Sequence, residues 1–107
     1  MTAYSHHPWI DEPRFPYETL HEFVANLFAA AGMDAEDATL AASSVLIADM
    51  RGIETHGVQR MHFYLTGLGN GNVDPRARMT IVEERASTIA FDGHHALGLL
   101  NAHRAME

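Results

Sequence analysis

The 107-residue sequence has no cysteine and no lysine. Without cysteine there is no disulfide framework, no thiolate nucleophile and no cysteine-type zinc site. Without lysine the positive charge rests on seven arginines, scattered along the chain and outnumbered by 14 acidic residues for a net charge of −7. Such a surface repels phosphate backbones and anionic headgroups, which argues against nucleic acid or a membrane surface as partner. No long hydrophobic run is present either. The least polar stretch, 38–48, is interrupted by Thr39, Ser43 and Ser44 and is too short to span a bilayer. The start of the chain, with His6, His7, Asp11 and Glu12, lacks the basic-then-apolar order of a secretory signal. A soluble cytoplasmic protein is the default expectation.

What is present points to a folded chain: 47% of residues are hydrophobic, enough for one small domain. Three of the four prolines (Pro8, Pro13, Pro16) fall in residues 1–16, which read as an extended arm. Trp9, Ile10 and Phe15 would let that arm dock on a neighbour; a partly disordered tail is the other reading. From Glu18 the period becomes helical, with Leu20, Phe23, Val24, Leu27, Phe28 and Ala31 on one stripe and Gly32 as a stop. Asp34 is the expected N-cap of a second helix, with Glu36 and Asp37 in its first turn. There the stripe Ala38, Ala41, Ala42, Val45, Leu46 implies close helix packing. Asp49 lies on the same stripe and needs a partner, for which Arg51 and Arg60 are candidates; Gly52 ends or bends the helix.

A third helical pattern (Val58, Met61, Leu65, Leu68) closes in a Gly/Asn-rich loop, 67–72, before Pro75. Met79–Glu83 and Thr88–Asp92 alternate and are rich in β-branched residues, as in a hairpin. Asp92-Gly93 marks a turn, and Leu97–Glu107 begins another helix, within which the sequence stops. The expected fold is α+β: a three-helix segment, a β-hairpin and the start of a further helix. The divisions are an arm over 1–16, a helical segment over 17–74 and a β-containing segment from 75 to 107.

Reactive side chains are densest between Asp49 and Arg60. If Glu54 or Thr55 caps the third helix, His56 lies in its first turn beside the positive end of the dipole. Arg60 and Tyr64 then follow one and two turns on along the same face. An arginine grips a carboxylate in bidentate fashion, and an imidazole nearby passes a proton to or from the adjacent oxygen. Spacing alone leaves plainer roles open: a capping or surface histidine, a solvated or Asp-paired arginine, a half-buried tyrosine. Of the eight histidines, the pairs His6-His7 and His94-His95 are adjacent and point apart, so no metal site is expected.

The string Ala48-Asp49-Met50-Arg51-Gly52-Ile53-Glu54-Thr55-His56-Gly57-Val58-Gln59-Arg60 resembles the signature of the malate/L-lactate dehydrogenase family. In that signature Ala-Asp, Arg-Gly and Ser/Thr-His-Gly lead to an arginine. Tyr64, the Gly69–Gly71 loop, and Phe91-Asp92-Gly93 with Leu97-Gly98 follow in order, so the resemblance runs from about Tyr17 to the last residue. It implies an NAD(P)-dependent oxidoreductase interconverting small 2-oxo and 2-hydroxy carboxylates, homodimeric when complete. His56 would be the proton donor and Thr55, where many members carry serine, the group that orients it. Arg60 would bind the substrate carboxylate with Tyr64 beside it, and Asp49, Arg51 and Gly52 would shape the helix–loop junction. It implies too that the chain is an incomplete portion of a larger α/β enzyme, with 17–74 on the substrate side and 75–107 the truncated start of a β-containing domain. Most of the NAD or NADP site, and an acid partner for the histidine, would then lie beyond this sequence. Consistently, no G-x-G-x-x-G opens a helix here. Lacking the cofactor site, the polypeptide alone is expected to be inert, and lacking its partner domain, prone to self-association. The alternative is a non-enzymatic helical interaction module, which would be self-contained and well capped.

Overall fold

Gly32 and Gly52 stop their helices as the sequence suggests, and both do so through positive φ. In the computed structural model, which describes residues 13–107, α1 spans Tyr17–Ala30 and α2 spans Ala35–Met50. After α1, Gly32 adopts φ +108° and donates to the Ala29 carbonyl at 3.0 Å, while Met33 N–H reaches the Phe28 carbonyl at 3.2 Å. After α2, Gly52 (φ +75°) donates to Asp49 O at 3.1 Å and Ile53 N–H to Ala48 O at 2.8 Å. Both are Schellman endings, which satisfy carbonyls that would otherwise lack a partner and need a residue tolerant of the left-handed region. Met33, the residue after the first of these glycines, is buried beside Phe28 in the core.

The short link 31–34 folds α2 back along α1. Ala38, Ala41 and Ala42 are buried and let the two helices approach closely, with Val24, Phe28 and Val45 filling the seam. A polar clasp closes the exposed side. The Ser43 hydroxyl donates to Thr39 O at 3.1 Å, and the His21 ring nitrogen Nε2 donates to Ser43 Oγ at 2.9 Å. The apolar stripe expected of α1 is wider than the face it buries, and Phe23 is 56% exposed. Of the expected arm, residues 1–12 with Trp9 and Ile10 lie outside the described residues, and Phe15 is exposed.

Asp34 occupies the N-cap position of α2, but its side chain makes no capping bond. Its carboxylate instead takes Arg76 at 2.8 Å and Arg78 at 3.1 Å. Asp37, expected as a first-turn residue favoured by the dipole, is also buried, 1% exposed. Arg78 Nη1 donates to its Oδ2 at 2.6 Å and Arg104 donates to its Oδ1. This carboxylate joins α2 to the segment leading into the hairpin and to α4 (Gly98–Ala105), whose Leu100, with the preceding Leu97, completes the core.

The third helix, α3, runs Met61–Gly69. Beyond it Asn72 N–H is bonded to Asn70 Oδ1 at 2.9 Å in the expected turn-rich loop. Strands β1 (Thr80–Glu84) and β2 (Ile89–Asp92) pair antiparallel, within a residue of the expected hairpin; the register slips at Val82, between Ile81↔Phe91 and Glu83↔Ala90. Ile81, Val82 and Ile89 are exposed.

A tight turn follows β2, closed by Ala96 N–H to Gly93 O at 3.0 Å. Its two central residues, His94 (φ 50°) and His95 (φ 64°), are both left-handed, a conformation that costs a residue with a Cβ about 1–2 kcal/mol. His95 is exposed and holds Asp74 N–H through its own carbonyl, a contact that any residue retains. His95→Gly is therefore expected to raise the thermal midpoint by a few degrees, about 0.5–1 kcal/mol after the entropy that glycine loses on folding. An unchanged or lowered midpoint in a calorimetric scan would show that the turn is not strained there.

Candidate active site

The segment between α2 and α3 is not the start of one helix, contrary to what the spacing of His56, Arg60 and Tyr64 suggests. It is two single 3₁₀ turns, Glu54–His56 and Val58–Arg60, separated by Gly57 at φ −93°, ψ −145°. The extended Gly57 breaks the helical path, so the three side chains do not share a helical face and no helix N-terminus faces the imidazole. His56 N–H is used within its own turn, bonded to Ile53 O at 3.0 Å.

The cause of the break is Asp49. Its Oδ2 accepts the Val58 N–H at 2.8 Å. The partner this carboxylate needed is thus a backbone amide rather than Arg51 or Arg60. The amide would have been spent within a continuous helix; here it turns toward the end of α2 instead. Val58 packs against the core and Met61, just beyond, is buried, so the second turn and α3 are anchored from below.

Of the expected site residues, Thr55 and His56 are brought together: Thr55 Oγ1 lies 2.9 Å from His56 Nδ1, and both residues are exposed. A hydroxyl both donates and accepts, so Thr55 partners Nδ1 in whichever state it takes and leaves Nε2 outward. Arg60 is only partly exposed; its guanidinium lies 5.0 Å over the Phe63 ring, and among the described residues it pairs with no carboxylate. Tyr64 is half-buried, its ring 6.4 Å from Phe28 and 6.1 Å from Phe63, centroid to centroid. No hydrogen bond or ion pair joins His56, Arg60 and Tyr64 among the described residues. Phe63, which carries the guanidinium, is not among the residues that the sequence pattern singles out; an aromatic three residues after the arginine is its one signal there.

An open groove of about 360 Å³ lies beside the end of α2, walled by Arg14, Tyr17, Leu46, Asp49, Met50 and Glu54. None of Thr55, His56, Arg60 or Tyr64 lines it. The pair Thr55–His56 is instead exposed at the surface. Among the described residues there is no group of three His, Cys, Asp or Glu side chains placed to hold a metal ion, and no helix long and apolar enough to cross a membrane. The described residues do not form the ordinary dinucleotide-binding turn. The sheet is an antiparallel hairpin, and Gly67, Gly69 and Gly71 end a helix rather than open one after a strand.

Comparison with known proteins gives one consistent answer. A family model described as malate/L-lactate dehydrogenase matches residues 15–107. A malate dehydrogenase of Pyrococcus abyssi is 35% identical over 101 residues, 92% of this chain and 28% of that protein. An L-sulfolactate dehydrogenase of Methanocaldococcus jannaschii is 32% identical over 90 residues, 84% of this chain and 26% of its own length. The solved malate dehydrogenase of Pyrococcus horikoshii OT3 superposes with a TM-score of 0.84 at 33% identity, covering 88% of this chain and 27% of that one. The chain thus spans little more than a quarter of the length of these relatives.

Proposed function

The chain belongs to the malate/L-lactate dehydrogenase family, and on that premise we propose that it carries the proton-transfer and carboxylate-binding side of an NAD(P)-dependent oxidoreductase. The reaction is reduction of a small 2-oxo acid, or oxidation of the matching 2-hydroxy acid. Family membership, and relatives that act as dehydrogenases, set aside a helical module without enzymatic ancestry.

The observation that carries the reading is the Thr55–His56 hydrogen bond. As an imidazolium, His56 gives its Nε2 proton to the oxygen on C2 of the 2-oxo acid; as a neutral base it takes that proton back from the 2-hydroxy acid. In both working states Nδ1 keeps its proton and donates it to Thr55 Oγ1, so the threonine holds the ring in place while Nε2 exchanges. Arg60, braced over Phe63, grips the substrate carboxylate through two N–H donors, and the Tyr64 phenol stands beside it as a further hydrogen-bond group. A nicotinamide cofactor would supply or take up the hydride at C2, and the residues that would hold it are assigned to the part of the family's length that this chain does not span. The 107 residues alone are accordingly inactive, and the full-length enzyme is read as a homodimer.

Arg60→Gln in the enzyme of family length tests the assignment. Loss of a bidentate, charge-assisted grip should raise KM for the 2-oxo acid by about 10- to 100-fold with kcat within a few-fold, as expected for an interaction made equally in ground and transition states. Steady-state kinetics that leave KM unchanged would remove Arg60 from the substrate.

A further inference from the structure

The two 3₁₀ turns that hold the proposed catalytic and carboxylate-binding residues meet at one point, Gly57, and that point is occupied from outside the segment. Gly57 is buried although Thr55 and His56 before it are exposed. A Cβ placed on Gly57 would overlap the Asp49 carboxylate. The same carboxylate accepts the Val58 N–H at 2.8 Å. One acidic side chain from the last turn of α2 thus fills the space of the missing side chain and takes the amide that follows it.

We propose that Asp49 and Gly57 form a positioning lock, in which the Asp49 carboxylate fixes the junction between the turn bearing Thr55–His56 and the turn bearing Arg60. The proposal rests on the dehydrogenase reading of His56 and Arg60, but the lock itself is a property of this chain. Two further bonds make the junction the hinge of the segment: Gly57 N–H to Glu54 O at 3.1 Å closes the first turn, and Arg60 N–H to Gly57 O at 3.0 Å closes the second. A change of Gly57 backbone angle therefore swings His56 and Arg60 relative to each other. The carboxylate and its bond to the Val58 amide oppose that swing. Asp49 is assigned a role through the backbone, by way of its bond to the Val58 amide. Its negative charge strengthens the bond to Val58, since an amide donating to a carboxylate is roughly twice as strong as one donating to a neutral acceptor. Any side chain at position 57 and a carboxylate at position 49 exclude one another.

The test begins on the 107-residue chain by NMR. Asp49→Asn keeps the shape and removes the charge. It should speed exchange of the Val58 amide proton by roughly tenfold, the loss of a charge-assisted bond, and move the His56 ring resonances. Gly57→Ala should perturb the same signals in the wild-type background and add little to Asp49→Ala, because the truncated side chain vacates the space. Should either alanine variant fail to fold, the asparagine variant still decides. Asp49→Asn in the enzyme of family length should lower kcat/KM for the 2-oxo acid about tenfold with KM for the nicotinamide cofactor unchanged, a split that general destabilisation does not produce. A Val58 amide and His56 ring that ignore Asp49→Asn, or a turnover that ignores it, overturns the lock as a positioning device. If the NMR changes appear but His56→Gln leaves turnover intact, the lock stands and the dehydrogenase reading of His56 falls.

Discussion

Asp37→Ala should destabilise the chain by about 3 kcal/mol, read as a fall in the urea midpoint at unchanged slope. Asp37 is 1% exposed, and each of its oxygens is taken by a different arginine, Arg78 on Oδ2 and Arg104 on Oδ1. Removing one partner of a buried ion pair costs roughly 3–5 kcal/mol, because the remaining charge stays buried without compensation. The lower end applies here. The Arg78 side chain is 50% exposed and rehydrates, whereas the Arg104 side chain is 21% exposed and its Nη1 already lacks a partner among the described residues. The Arg78 pKa is raised, first by its hydrogen bond to Asp37, then by the Asp37 charge, with Asp34 adding to both and desolvation opposing them. A cation with a raised pKa lends its stability fully below the ordinary arginine range and loses it only above, so this contribution is constant through neutral pH. Asp37→Asn keeps one acceptor and should cost less than Asp37→Ala. Asp34→Ala removes only exposed pairs and should hardly move the midpoint. If Asp37→Ala were as mild as Asp34→Ala, the desolvation of the carboxylate would cancel its two bonds.

Asp37 also marks where sequence reasoning stops. A carboxylate in the first turn of a helix has a sufficient local explanation in the dipole, and nothing local contradicts it. Its true partners stand 41 and 67 positions away in the chain. The elements that were legible have local causes: Gly32 and Gly52 end helices because their own φ is positive, the alanine stripe of α2 packs closely because it is narrow, and the hairpin alternates between turn signals. At the site the legible part was composition, and the illegible part was path. His56, Arg60 and Tyr64 recur at four-residue intervals, which a helix explains. The carboxylate that breaks the helix sits nine positions before the amide it captures. Asp49 on the stripe needs a partner, and a sequence offers arginines because side chains carry names in it and backbone amides do not. The stripe on α1 erred for a simpler reason. Periodicity ranks residues by hydrophobicity, and a helix that packs on few neighbours buries less than its apolar face offers, so Phe23 remains exposed.

His56→Gln in the enzyme of family length should lower kcat about 1000-fold in both directions, within the range that general acid–base groups contribute, while KM for the 2-oxo acid moves by no more than a few-fold. Glutamine preserves length and a hydrogen-bonding end but neither gives up nor takes a proton near neutral pH, so the loss isolates proton transfer from contact. This pattern is the reverse of the one expected for Arg60→Gln, and the two together separate the group that moves a proton from the group that holds the carboxylate. Thr55→Val sharpens the argument. With its hydroxyl gone, His56 Nδ1 loses its 2.9 Å partner, the ring is no longer held for transfer from Nε2, and kcat should fall about tenfold. Because Thr55 acts only through the imidazole, the same change made on top of His56→Gln should cost nothing further, a coupling equal to the whole effect of Thr55→Val. Two additive losses would mean that Thr55 contacts the substrate on its own account. An unimpaired His56→Gln enzyme would move proton transfer to another residue and leave the Thr55–His56 bond as a structural turn closure.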